Sequence, residues 1–147
     1  MRLWHKDLLP FLPRQQLLSQ WRECCSIVKN IAEKGSPNHI LVNRIMDYPE
    51  FYFQYYVQKL HRVMQKRGYK ISEAARRRYA NNLEKAKPKF TQVQTEYDDF
   101  ELFAGWHDDR YLRQCLYNLE EKFICGGISA AEWKIICENF SNYDLYM

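Results

Sequence analysis

Apolar residues recur at helical spacing in the first part of the chain and indicate a helix from about Pro13 to Lys34. Proline suits the first turn of a helix, and Gly35 provides a C-terminal stop. The preceding residues, 1–12, predict an extended arm marked by two prolines. The predicted apolar stripe of the helix consists of Leu17, Leu18, Trp21, Cys25, Val28 and Ile31.

Four further helices follow from the same pattern. The second begins at "DYPE", where Asp47 and Glu50 have the spacing of a capping box, and the third begins after Ser72. Asp108 opens the fourth, and "SAAE" (129–132) opens the last as a second capping box. The acidic, aromatic segment 89–107 predicts a loop, and no segment alternates as a strand would. We therefore expect an all-α fold, a compact bundle of four to five helices forming a single domain over residues 1–147.

Composition narrows the class of protein. Of the 147 residues, 46% are hydrophobic and 16% aromatic, which excludes a disordered chain. The apolar runs are too short for a membrane span, and the first residues have no secretory apolar region, so we expect a cytoplasmic protein. The five cysteines are odd in number and show no C-x-x-C motif, which favours free thiols and no metal site.

Charge is distributed unevenly along the chain. Residues 1–95 hold 18 Lys and Arg against 7 Asp and Glu, whereas residues 96–147 hold 4 against 11. Such asymmetry favours a surface that binds a polyanion. The alternative is that both sets of charge solvate helix faces and meet each other across the fold.

Glu23 lies on a polar stripe beside the apolar face of the first helix. An ordinary solvated face would explain it. The arm, however, is so apolar that it should pack back on this helix and bring the α-amine of Met1 alongside. An α-amine is less basic than lysine, so it is the most available amine nucleophile of the chain near neutral pH. A bulky second residue, Arg2, also favours retention of Met1.

Three segments together resemble a known family. "MRL…LPRQQLLSQWRE" is similar to the start of the phage endonuclease V type pyrimidine-dimer DNA glycosylases. "DYPEF…KRGYKI" resembles the second helix of that family, and "HDDRYLRQCLYNLEEKF" its last long helix. The resemblance covers roughly residues 1–30, 45–72 and 106–123, and its specificity lies in the order and spacing of the three segments.

The resemblance implies a mechanism and site residues. The Met1 amine would attack C1′ of the damaged nucleoside, release the base and form a Schiff base, and β-elimination would then nick the strand. Glu23 would stabilise the positive charge on the sugar and assist proton transfer. No cofactor would be needed. The expected partner is damaged double-stranded DNA, bent and with a base flipped out, bound by a monomer. The residues implied to contact DNA are Arg2, Gln15, Gln16, Arg22 and Lys122.

The sequence also departs from the family pattern. Gln16 stands where the family often has His, and Ser26 and Asn118 stand where it has Arg. The aromatic C-terminal tail of the family is not recognisable in "NYDLYM", although Tyr143 and Tyr146 keep some aromatic character. The catalytic pair is intact, so these departures bear on which lesion is recognised.

Each of several other residues has two interpretations, a functional one and a structural one. Arg76 and Arg77 belong to the densest basic run, which would either contact phosphate or solvate a helix face. His39 lies in the loop "SPNHILVN", within reach of a DNA groove or in a structural role. The tyrosines 48, 52, 55 and 56 favour core packing over base stacking. His107 beside Asp108 and Asp109 resembles a metal cluster only superficially, because a helix cap explains the aspartates.

Two further functions remain open at this point. One is a non-catalytic DNA-binding module that keeps the fold and the basic face. It would bind DNA in a salt-dependent way without nicking it. The other is a helical protein-interaction domain with no affinity for DNA.

Overall fold

The computed structural model of the chain describes residues 1–92 and 100–147, and no strand occurs in these ranges. The prediction of an all-α fold is therefore confirmed. The α-helices of the described residues are α1 (Arg14–Lys34), α2 (Glu50–Lys66), α3 (Glu73–Ala86), α4 (Asp109–Ile124) and α5 (Ala130–Asn139). Short 3-10 helices span Lys6–Phe11, Asn43–Asp47 and Lys87–Lys89.

Most helix ends are set by the local signals seen in the sequence. Gly35 closes α1 in the left-handed conformation, with φ of 87°, which glycine adopts without strain. The side chains of Ser72 and Asp108 cap α3 and α4. Ser129 and Glu132 form the predicted capping box of α5, because each side chain bonds to the backbone of the other.

The predicted start of α2 is wrong by two residues. Asp47 ends a 3-10 helix, and the N-cap of α2 is Pro49, which offers no side-chain cap. The cause is Pro49, because the residue before a proline is disfavoured in the helical region. Tyr48 is accordingly extended, with φ of −119° and ψ of 152°. No capping box therefore joins Asp47 to Glu50.

The N-terminal arm packs on the helices, as expected, but it is not extended throughout. Residues 6–11 form a 3-10 helix that lies against α2 and α5. Leu3, Leu8 and Leu9 are fully buried. Each such leucine contributes about 1.5–3 kcal/mol by burial. The arm is thus a stable part of the core.

The buried face of α1 is rotated from the predicted stripe. Leu18 and Cys25 are only half-buried, whereas Gln20 and Cys24 are fully buried. The arm and Tyr56 of α2 contact Gln20 and cover this edge of the helix. The sequence of one helix does not show which side of its apolar stripe will be covered by other segments of the chain.

The predicted loop at 89–107 lies partly outside the described residues, since 93–99 are not described. Residues 102–106 form turns, in agreement with the prediction. Phe90, Phe103 and Trp106 of this segment are buried in the core. Among the four tyrosines, 52 and 56 are buried as predicted, and Tyr55 is half exposed. No helix of the described ranges has the length and apolar character needed to cross a bilayer.

Candidate active site

A buried glutamine of α1 holds the backbone of the N-terminal arm. The side-chain oxygen of Gln20 accepts a hydrogen bond from the backbone N–H of Trp4 at 2.8 Å. Its amide nitrogen donates to the carbonyl of Arg2 at 3.0 Å. Gln20 has no exposed surface. Since breaking such buried bonds leaves polar groups without water, the arm is held firmly at residues 2 and 4.

Two tyrosines complete this attachment from other helices. The hydroxyl of Tyr56 on α2 donates to the carbonyl of Trp4 at 2.6 Å, and that of Tyr111 on α4 donates to the carbonyl of Leu3 at 2.5 Å. Both tyrosines are buried. Side chains from three helices therefore fix three successive arm residues, and this determines where Met1 emerges.

Met1 emerges at a cleft of about 340 Å³ between the arm, α1 and α4. The side chain of Met1 remains accessible, with 40% of its surface exposed. Met1 therefore borders a space large enough for a substrate group. The cleft is lined by Met1, Arg2, Trp4, Glu23, Asn118, Glu121, Lys122 and Cys125.

Glu23 is the half-buried carboxylate of this cleft, one turn beyond Gln20. Its Oε2 accepts a hydrogen bond of 3.4 Å from the same Gln20 amide that holds Arg2. Burial raises the pKa of Glu23, and the positive N-terminus, the backbone N–H of Arg2 and the charge of His39 only partly offset this. A raised pKa suits a carboxyl group that takes part in proton transfer.

Within residues 1–92 and 100–147, no direct ion pair joins the Met1 amine to Glu23. The two groups interact electrostatically, since the amine lowers the pKa of the carboxyl. Met1 and Glu23, which carry an amine and a carboxyl group, therefore line one cleft. Such an arrangement can act on an electrophilic carbon held between them.

Arg2 and Lys122 of the predicted DNA-binding set also line the cleft. The guanidinium of Arg2 lies 5.3 Å from the ring centre of Trp4 and donates to the Cys115 sulfur at 3.9 Å. Lys122 is exposed near the end of α4. Asn118, one turn before it, also lines the cleft and has a buried amide nitrogen that makes no hydrogen bond to the protein.

The remaining predicted residues of α1 lie elsewhere. Gln15 and Gln16 line a second hollow of about 320 Å³ with Gly127 and Glu132. Arg22 is exposed on α1 next to Glu23, and its guanidinium donates to Ser19 at 3.2 Å. None of these three residues lines the cleft of Met1 and Glu23.

The last three predicted DNA-binding residues lie on α3 and in the loop after α1. Arg76 is half-buried, and the exposed Arg77 forms an ion pair of 3.9 Å with Glu73. His39 lies near enough to Glu23 for its charge to lower the pKa of that carboxyl.

Several residues of the site were missed by sequence reasoning. Gln20 lies beside the predicted apolar stripe of α1 and looked like a surface residue, so it gave no signal. Tyr56, Tyr111 and Cys125 gave none, because they join the site only through contacts between distant segments. Cys125 is exposed in the cleft just after α4.

His107 has a structural role. Its Nδ1 accepts a hydrogen bond from the backbone N–H of Lys6 at 3.0 Å, and its carbonyl accepts one from His5 at 2.9 Å. Burial lowers the pKa of His107 to about 2, so the ring is neutral. Among the described residues, no cluster of His, Cys, Asp and Glu is arranged to hold a metal ion.

Comparison with known proteins gives one match. A family model described as pyrimidine dimer DNA glycosylase matches residues 1–82, more than half of the chain. This range includes Met1, Gln20 and Glu23 and ends within α3, so α4 and its part of the cleft lie outside it. No curated protein and no solved structure matches the chain.

Proposed function

Because the chain belongs to the pyrimidine dimer DNA glycosylase family, we propose that it removes damaged pyrimidines from duplex DNA with the Met1 α-amine as nucleophile. The observation that carries this proposal is the common cleft of Met1 and Glu23, whose positions are linked through the amide of Gln20. Cyclobutane dimers are the expected lesion, following the family description.

In the first step, the neutral amine attacks C1′ of the damaged nucleotide. The bond between C1′ and the base nitrogen breaks, the base leaves C1′ with the bonding electrons, and the amine loses a proton. The C1′–O4′ bond then breaks, the sugar ring opens and O4′ takes up a proton, while the nitrogen lone pair forms the C=N bond of the Schiff base. Glu23 faces the sugar as positive charge develops on it. A carboxylate beside such an oxocarbenium-like carbon stabilises the transition state electrostatically.

In the second step, the Schiff base acidifies the proton on C2′. Glu23, as its carboxylate, accepts that proton, and the C3′–O bond breaks with the phosphate as leaving group. Hydrolysis of the imine then frees the amine. This β-elimination makes the protein an AP lyase as well as a glycosylase, and both steps use only proton transfers and the amine.

The DNA would be held by charge on either side of the cleft. Arg2 and Lys122 line it and would contact phosphates next to the lesion. Arg22 on α1 and Arg76 and Arg77 on α3 would extend the contact along the backbone. The 18 Lys and Arg within residues 1–95 support such a role, since phosphate contacts dominate affinity for DNA.

We also propose that residues 1–147 act as one domain. The family match ends at residue 82, yet Asn118, Glu121, Lys122 and Cys125 of the α4 region line the cleft with Met1. A chain ending near residue 82 would lack one wall of the site.

A cleavage assay tests the function. Duplex DNA with a single cyclobutane dimer should have one glycosylic bond of the dimer cleaved and be nicked at that site, whereas the undamaged duplex should stay intact. Binding that weakens with salt but never leads to a nick would instead indicate a non-catalytic DNA-binding module. Absence of binding would indicate that the protein does not act on DNA.

A further inference from the structure

The loop between α1 and the second 3-10 helix exposes two adjacent apolar side chains. Ile40 is 84% exposed and Leu41 is 49% exposed. A single exposed leucine is ordinary on a protein surface. Two neighbouring large aliphatic side chains at the tip of one loop are less common, and they expose apolar surface that a partner can bury.

The loop that carries them is well anchored. The Asn30 side chain on α1 donates to the carbonyl of Pro37 at 3.1 Å. The backbone N–H of His39 donates to Asn43 at 3.0 Å, and the carbonyl of His39 accepts from the N–H groups of Val42 and Asn43. Val42 is fully buried. Ile40 and Leu41 therefore project from a fixed turn.

The loop is close to the candidate active site. Asn30 lies two helical turns after Glu23 on α1, which is about 10 Å along the helix axis. The charge of His39, the residue before Ile40, lowers the pKa of Glu23. The apolar tip thus belongs to a loop that is anchored to α1 about 10 Å along the helix axis from Glu23.

We propose that Ile40 and Leu41 form a wedge that enters the base stack of the DNA beside the lesion. This proposal rests on the proposed function. A glycosylase must take its target nucleotide out of the stack, at a cost of a broken stacking contact. Aliphatic side chains inserted between base steps replace part of that contact and bend the duplex.

The wedge assigns the loop a role distinct from that of the basic residues. Arg2, Lys122 and Arg22 would hold the phosphates and give affinity that falls with salt. Ile40 and Leu41 carry no charge, so they would act on the stacking of the bases and leave the salt dependence unchanged. Recognition of a lesion would then depend on how easily the duplex opens at that step.

Fluorescence of 2-aminopurine tests the wedge. The probe is a duplex with a tetrahydrofuran abasic analogue, which has no aldehyde to react with an amine, and 2-aminopurine in the opposite strand beside it. Binding of the wild-type protein should raise the fluorescence, because unstacked 2-aminopurine is brighter. Ile40→Ser and Leu41→Ser should each lose most of this rise and weaken binding to the probe by about tenfold.

Ile135→Ser is the matched control, because Ile135 is a similarly exposed isoleucine (48%) on α5. It should retain the full rise. Circular dichroism and the salt dependence of binding should be unchanged in all three variants, which shows that fold and phosphate contacts are intact. A full rise in Ile40→Ser and Leu41→Ser, or no rise with bound wild-type protein, would overturn the wedge alone. Wild-type protein that binds neither this probe nor the dimer duplex would overturn the proposed function itself.

Discussion

Gln20 and Glu23 lie one helical turn apart on α1, and the amide nitrogen of Gln20 is 3.4 Å from the Glu23 carboxylate. The same nitrogen donates to the carbonyl of Arg2 at 3.0 Å. One buried side chain therefore links the carboxylate to the residue next to the N-terminal amine. The distance between the two proposed catalytic groups depends on this amide, and each prediction below tests part of that arrangement.

Gln20→Met should reduce both stability and activity. Methionine has a similar size but cannot bond to the Trp4 N–H or the Arg2 carbonyl, which would stay buried without partners. Leaving such a group unpaired costs about 1–3 kcal/mol. We expect a matching fall in the free energy of unfolding, measured with urea, and a fall in kcat larger than any rise in KM. Gln58→Met, at an exposed position of α2, should change neither quantity.

Glu23→Gln should abolish base release while DNA binding stays close to that of the wild type. Glutamine keeps the shape but cannot exchange protons, and proton transfer by a positioned group typically contributes 10²–10⁴-fold to a rate. Single-turnover cleavage of the glycosylic bond in a dimer duplex measures the effect, since the cleaved base stays linked to its neighbour through the cyclobutane ring. Glu33→Gln, an exposed position of the same helix, is the control. Glycosylase activity preserved in Glu23→Gln would contradict the role of Glu23.

The same substitution should stabilise the protein at neutral pH. Burial raises the pKa of Glu23 in the folded state, so the folded protein favours the protonated carboxyl. Its contribution to stability is complete below the pKa of the unfolded chain and is lost as pH rises through the raised pKa of the folded state. The gain in unfolding free energy of Glu23→Gln over wild type should therefore grow as pH rises from about 4. A gain that shrinks as pH rises over this range would contradict a raised pKa of Glu23 in the folded state.

Alkylation of Cys125 should block the enzyme. Cys125 is exposed in the cleft, whereas burial raises the pKa of the Cys24 thiol well above its ordinary value and that of Cys25 to about 11. The Cys125 thiol should therefore react with N-ethylmaleimide before the thiols of Cys24 and Cys25. We expect mass spectrometry to find the label on Cys125 and activity to fall in parallel. Cys125→Ser should resist inhibition, and equal inhibition of that variant would contradict the prediction.

The sequence allowed a good part of the fold to be predicted, because the signals involved are local. Gly35, Ser72, Asp108 and the Ser129–Glu132 box act within a few residues and end or begin helices where expected. The error at Asp47 had a local cause as well, since Pro49 prevents a helix from starting before it.

The site was only partly predictable for a physical reason. The apolar arm indicated that Met1 returns to α1, which brought Glu23 into consideration. The bonds that fix the arm join residues 16, 52 and 108 positions apart, so no local pattern reveals them. Gln20 looked like a surface residue until the arm covered it. Cys125 enters the cleft only through the packing of α4.

Borohydride trapping is the most direct test of the central claim, that the Met1 amine is the nucleophile. Untagged protein is mixed with a duplex carrying an abasic site or a cyclobutane dimer, treated with borohydride to reduce any Schiff base, digested and mapped by mass spectrometry. The account predicts a covalent DNA adduct on the peptide that contains Met1 and no adduct after the N-terminus has been acetylated. An adduct on a lysine peptide, or no adduct on DNA that the protein still binds, would contradict it.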